Sequence, residues 1–101
     1  MPVTCREEKR RLTAEVAGEL DHHGARAVME ELDRRIDQSR PRELTLDLSR
    51  LTFADSSGIA VLLRAYRRMG QVQGSMKVVN TPDQAGKVFR AAGLERIIRF
   101  E

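Results

Sequence analysis

Near the start of the chain Leu12, Ala14 and Val16 alternate with Thr13 and Glu15, the period-two pattern of a half-buried strand. A shorter strand over residues 3–6 precedes it, and a turn at Glu8 and Lys9 joins the two as a hairpin. Over residues 24–38 the period changes to that of a helix. Ala25, Val28, Met29, Leu32 and Ile36 fall on one face, with Glu30, Arg34, Arg35 and Asp37 on the other. Pro41 ends this helix, and Leu44, Leu46 and Leu48 alternate with polar residues as a further strand. After a short turn, Ile59, Leu62, Leu63 and Tyr66 recur at helical spacing over residues 57–69, with Gly70 placed as a left-handed cap. Residues 76–79 form an apolar strand. Thr81-Pro82-Asp83-Gln84 carries a cap residue, proline at the first helical position and Gln three residues after the cap, which marks a helix start. That helix runs to about Ala92, where Gly93 followed by Leu94 suits a Schellman ending, and residues 97–100 add a last short strand.

Strands that alternate with helices of this length predict an α/β fold, with helical crossovers packed on a sheet around one core. The expected architecture is a mixed sheet of four to five strands with three to four helices, as one domain over residues 1–101. At 101 residues the chain buries roughly 60–70% of the surface it would expose unfolded, so it needs no disulfide or metal to fold. Charged residues at 33% and hydrophobic ones at 41% exclude a disordered chain. Cys5 has no second cysteine to pair with, which fits a reducing compartment. No apolar run approaches membrane-span length and no signal peptide is visible, so a cytoplasmic protein is expected.

The 18 Lys and Arg exceed the 15 Asp and Glu by a net charge of only +3. Positive and negative residues interleave along the sequence from Arg6 to Arg42, whereas nucleic-acid binders gather cations on one face, so no direct nucleic-acid partner is expected. Arg64, Arg67 and Arg68 share a helix face that either meets an acidic partner or is simply solvated. His22 and His23 are adjacent but lack a third ligand at a recognised spacing, so no metal is predicted.

The segment Asp55-Ser56-Ser57-Gly58 follows a strand and opens a helix. Asp55 is a good N-cap, which leaves Ser56 and Ser57 in a first turn whose N–H groups have no partner within the helix. A phosphate on Ser56 would meet the positive end of the helix dipole, and also the like charge of Asp55. By local pattern the three residues read first as a cap, and a modification site is the alternative. Catalysis by this chain is not expected. It has neither a GxSxG elbow nor a GxxxxGK[ST] loop, and a triad of Ser56, His22 and Asp55 fails because a neighbouring Asp cannot orient a histidine on another loop.

The stretches GELDHH at residues 18–23, LTLDLSRLTFADSSGIAVLL at 44–63 and AAGLERIIRFE at 91–101 together resemble the STAS-domain anti-sigma factor antagonists. Within that family they are similar to the sporulation antagonists that act on the anti-sigma factor of sigma F. The resemblance runs through nearly the whole chain and implies a switch without catalysis or cofactor. An unmodified antagonist binds an anti-sigma factor that is also an ATP/ADP-binding serine kinase, and the sigma factor is released. That kinase then phosphorylates the first serine of DSSG, here Ser56, and a separate serine phosphatase reverses the change. On this resemblance Glu19, Asp21, His22, Asp55, Ser57 and Gly58 form the partner surface around Ser56. Asp55 would hold the serine hydroxyl and Gly58 would leave room for the partner's nucleotide site, while Asp21 equally suits capping of the first helix. Two other readings stay open, a STAS scaffold or sensor module that binds a small ligand and a nucleic-acid binder. Sporulation antagonists generally continue past the IIRFE segment into a final helix, whereas this sequence stops at Glu101.

Overall fold

The computed structural model describes residues 2–101. Strands β1 (Val3–Glu8) and β2 (Arg11–Val16) form the expected antiparallel hairpin, with Val3 opposite Val16 and Glu8 opposite Arg11. Its turn is Lys9-Arg10, one residue later than the sequence suggests. Both residues are left-handed, with φ of 52° and 64°, the conformation that matches the twist of a two-residue hairpin. Neither is Asn or Gly, so the usual signal for this turn is missing.

Beyond Val16 the chain leaves the hairpin through Gly18, whose φ of 88° suits glycine. It then forms β3 (Gly18–Leu20) and enters helix α1 (His22–Ser39). After β4 (Glu43–Asp47) comes β5 (Leu51–Ala54), which pairs in parallel with β3 as a separate two-stranded sheet. The sequence suggests neither of these strands, because three or four residues are too few to show a period. GELD therefore lies in a strand of its own and its exit, and what reads as a turn after residue 48 is β5.

Helix α2 (Ser56–Gln71), strand β6 (Ser75–Val79), helix α3 (Asp83–Ala91), a 3-10 turn (Leu94–Arg96) and β7 (Arg99–Phe100) complete the chain. The main sheet has the order β1-β2-β4-β6-β7, antiparallel at β1–β2 and parallel elsewhere. A mixed five-stranded sheet with three helices is the architecture the sequence predicts. Leu12, Ala14, Leu44, Leu46, Met76 and Val78 are buried while Thr13, Glu15, Thr45, Asp47 and Lys77 stay half-exposed. That alternation marks a sheet covered on one face. Ala25, Val28, Leu32 and Ile36 of α1 and Val61, Leu62, Ala65 and Met69 of α2 join the same core cluster. At the surface Arg64 bonds Asp33 at 2.7 Å, and Arg68 reaches both Asp33 and Asp37, so these cations tie α2 to α1.

Two helix ends differ from expectation. Gly70 lies inside α2, and the left-handed residue is Gln73 with φ of 60°. Gly74 is the glycine the turn requires, since a Cβ there would sit 2.8 and 2.9 Å from the carbonyl oxygens of Pro41 and Arg42. Thr81 and Gln84 form no capping box. The N-cap position of α3 is Pro82, without a side-chain bond, and the Thr81 hydroxyl is buried without a partner. Gln84 instead spans to β5, where its Oε1 accepts from Ala54 N–H at 2.9 Å and its Nε2 donates to Ala54 C=O at 2.7 Å. Two backbone bonds at once outcompete one cap bond. Gly93 is left-handed, with φ of 75°, and ends α3 as expected.

Gln84→Ala removes both partners of a partly buried strand edge. We expect it to lower unfolding free energy by about 1–3 kcal/mol in urea titration, and an unchanged midpoint would show that water replaces the carboxamide.

Candidate functional site

Two helix starts define the candidate site. Asp55 is extended, with φ −117° and ψ −161°, and its Oδ1 accepts from Ser57 N–H at 2.7 Å. Asp21 caps α1 in the same way, with φ −96° and ψ −176° and Oδ1 accepting from Gly24 N–H at 2.7 Å. The β3–β5 ladder places the two caps side by side. Leu20 is in register with Ala54, and Asp55 N–H donates to Leu20 C=O at 3.3 Å. Both helices thus begin at the carboxyl ends of adjacent parallel strands, the position where α/β sheets place their sites.

The sequence-predicted residues divide clearly at this junction. Ser56 is the first residue of α2 and is exposed, while Ser57 is half-buried. Exposed His22 shares a depression of about 330 Å³ with Ser57, lined also by Ala25, Arg26, Met29 and Ala60. Exposed Glu19 lies on β3, next to the Asp21 cap. Asp21, His22, Asp55, Ser56 and Ser57 thus lie on the surface at the two adjoining helix starts, with Glu19 on the strand that leads into one of them.

Gly58 is not on that surface. It is buried, and a Cβ there would sit 3.3–3.4 Å from Ala54, Leu20 and Phe89, so its missing side chain makes room for the chain's own core rather than for a partner. Asp55 likewise does not hold the Ser56 hydroxyl. Its carboxylate is taken by Ser57 N–H, and its carbonyl accepts from Gly58 N–H at 2.9 Å. With these donors engaged, an anion on Ser56 gains less from the helix terminus than the sequence implies, and it adjoins the charge of Asp55.

Phe53 and Gln84 are missed by sequence reasoning. Phe53 on β5 lies two residues before Asp55 and is 39% exposed, an unusual exposure for a large aromatic. A strand of four residues gives no period from which this could be read. Among the described residues no three His, Cys, Asp or Glu side chains are grouped to hold a metal. Burial pushes the Cys5 thiol above its ordinary pKa, outweighing nearby Arg35, so it is a poor nucleophile. No described helix is long and apolar enough to cross a membrane.

A family model described as Mlab, STAS domain matches residues 3–99, almost the whole chain. The chain belongs to the STAS-domain family. Its relatives place it among the anti-sigma factor antagonists of that family. It is 32% identical over 87 residues to the anti-sigma F factor antagonist of Paenibacillus polymyxa, covering 86% of this chain and 74% of that one. It is 30% identical over 87 residues to the anti-sigma-B factor antagonist of Listeria monocytogenes, covering 85% and 75%. Among solved structures it superimposes on unphosphorylated SpoIIAA, an anti-sigma factor antagonist, with a TM-score of 0.82 and 26% identity, over 98% of this chain and 87% of that one. The phosphorylated form of Bacillus SpoIIAA, a cell fate determinant, gives a TM-score of 0.74 and 25% identity over 98% and 90%.

Proposed function

We propose that this chain is an anti-sigma factor antagonist that acts by switching partners, with Ser56 as its phosphate acceptor. The observation that carries the proposal is the exposed Ser56 at the start of α2, beside the capped start of α1. That SpoIIAA, a similar protein of the same fold, exists with and without phosphate supports it. Unphosphorylated, the surface around Glu19, Asp21, His22, Asp55 and Ser57 binds an anti-sigma factor serine kinase, and the sigma factor held there is released. The kinase moves the γ-phosphoryl group of ATP to Ser56 Oγ, the hydroxyl proton passes to a base on the kinase, and ADP remains. A serine phosphatase hydrolyses the ester and restores the binding form.

The chain is thus a substrate and regulator rather than an enzyme, and it needs no cofactor of its own. A sigma factor and an ATP-dependent kinase as partners put it in the cytoplasm. Its similarity to an anti-sigma F factor antagonist extends the proposal to sporulation-specific transcription, whereas the Listeria relative is an anti-sigma-B factor antagonist.

Charge explains how modification would end binding. The phosphate adds about 1.5–2 negative charges to a surface that already carries Glu19, Asp21 and Asp55, so a partner fitted to the neutral serine is repelled. Titrating the unphosphorylated chain into a complex of the cognate anti-sigma kinase and its sigma factor should release the sigma factor on size-exclusion chromatography. A complex left intact at excess antagonist would overturn the proposal.

A further inference from the structure

The pole opposite Ser56 is built from three loops at the amino ends of β2, β4 and β6. Folding gathers there Lys9, Arg10, Arg40 and Arg42, which the sequence separates by up to about thirty residues and mixes with acids. The loops are stitched together. Arg10 Nη2 donates to Arg40 C=O at 2.8 Å, Arg42 N–H donates to Arg10 C=O at 2.9 Å, and Ser75 N–H donates to Arg42 C=O at 2.9 Å.

Three features describe this pole. All four cations are exposed, and none forms an ion pair among the described residues, a lack of pairing shared by Arg6, Arg11, Arg35, Arg67, Lys87, Arg90 and Arg96. The four outnumber the two acids that border them, Glu8 and Glu43. Arg11 adjoins them but is flanked across the strands by Glu8 and Glu43, and is left out of the cluster. Lys9, Arg10 and Arg40 also hold left-handed backbone, with φ of 52°, 64° and 44°, where Gly or Asn would cost less. The hairpin turn and the end of α1 require this backbone, but nothing in either requires a long cationic side chain.

We infer that this pole is a binding surface for the phosphate backbone of nucleic acid, independent of Ser56. Guanidinium groups match phosphate geometry with several donors each, and backbone binding needs cations without apolar anchors. Among the described residues the exposed large apolar side chains are Phe53, Tyr66 and Ile97, none of them in these loops. Protein interfaces usually centre on aromatic or Arg anchors buried in a partner's pocket, and membrane insertion on apolar ones, so the lack of an exposed aromatic or large apolar side chain here favours backbone binding. The interleaving of charges along the sequence argues against such a site only until the chain folds.

The test is a fluorescence anisotropy titration of a labelled DNA duplex. Four phosphate contacts predict saturable, sequence-independent binding at about 50 mM salt that weakens roughly 100-fold by about 200 mM. The variant Lys9→Asn, Arg10→Asn, Arg40→Gly, each replacement suited to left-handed backbone, should lose at least tenfold in affinity with its thermal midpoint kept or raised. Ser56→Ala should bind the duplex as the parent does, which separates this surface from the proposed switch. Absence of saturable binding at the lower salt, equal binding by the triple variant, or tighter binding to phosphatidylserine-containing vesicles than to the duplex would each overturn the inference.

Discussion

Ser56→Glu is expected to weaken binding to the anti-sigma kinase by about 100-fold, about 2.7 kcal/mol, without lowering the stability of the chain itself. The two halves of this expectation have separate causes. Ser56 is exposed at the first position of α2, so a longer acidic side chain meets no packing obstacle. An acid in a first helical turn is neutral or stabilising by about 0.3–1 kcal/mol. In a closed interface the same charge must be desolvated beside Asp55, and Arg26, the cation lining the neighbouring depression, is already paired with Glu30. Ser56→Ala, by contrast, should bind as the parent does. Calorimetric titration and thermal melting on the three proteins test both halves together. A Ser56→Glu chain that melts normally and binds normally would mean that charge at this position does not control the partner.

Gly24→Ala should be the most damaging small substitution in the site, costing about 1–3 kcal/mol or more of unfolding free energy. In an ordinary helix that exchange stabilises by up to about 1 kcal/mol, so the sign itself is diagnostic. Gly24 lies in the first turn of α1, and a Cβ on it would be 2.2 Å from the carbonyl oxygen of Glu19. Backbone oxygen cannot move aside as a flexible side chain would. Either α1 backs away from β3 or the Asp21 cap on Gly24 N–H breaks. Since β3 carries Glu19 and pairs with β5, the strain reaches the Asp55 cap, and partner affinity should fall with stability. Urea unfolding gives the first quantity. A Gly24→Ala chain as stable as the parent would show that the junction of β3 and α1 is softer than its geometry implies.

The sequence foretells elements that bury a regular stripe and obscures those that do not. Ala25, Val28, Leu32 and Ile36 announce α1, and Leu44 with Leu46 announces β4, because each repeats a period over enough residues to be seen. β3 and β5 are too short to repeat anything, yet their pairing sets Asp21 beside Asp55 and so creates the site. Asp55 and Asp21 are legible as caps, since capping is a local property. The partners of Gln84, Gly58 and Gly24 are not, for each is fixed by a residue at least four positions away in sequence that only folding brings close. Gln84 shows the consequence, with a plausible cap signal overridden by a backbone edge thirty residues distant. The motif at residues 55–58 is recognisable as a string, whereas the direction each of its residues faces is not: Ser56 points outward and Gly58 inward.

The central claim is that the exposed first serine of α2 receives the phosphate. Incubation of the chain with its cognate anti-sigma kinase and ATP, followed by tandem mass spectrometry of the peptide spanning residues 51–64, tests it most directly. A single phosphate on Ser56 that is absent from Ser56→Ala is the predicted result. A phosphate on half-buried Ser57, or continued phosphorylation of the Ser56→Ala chain, would contradict it.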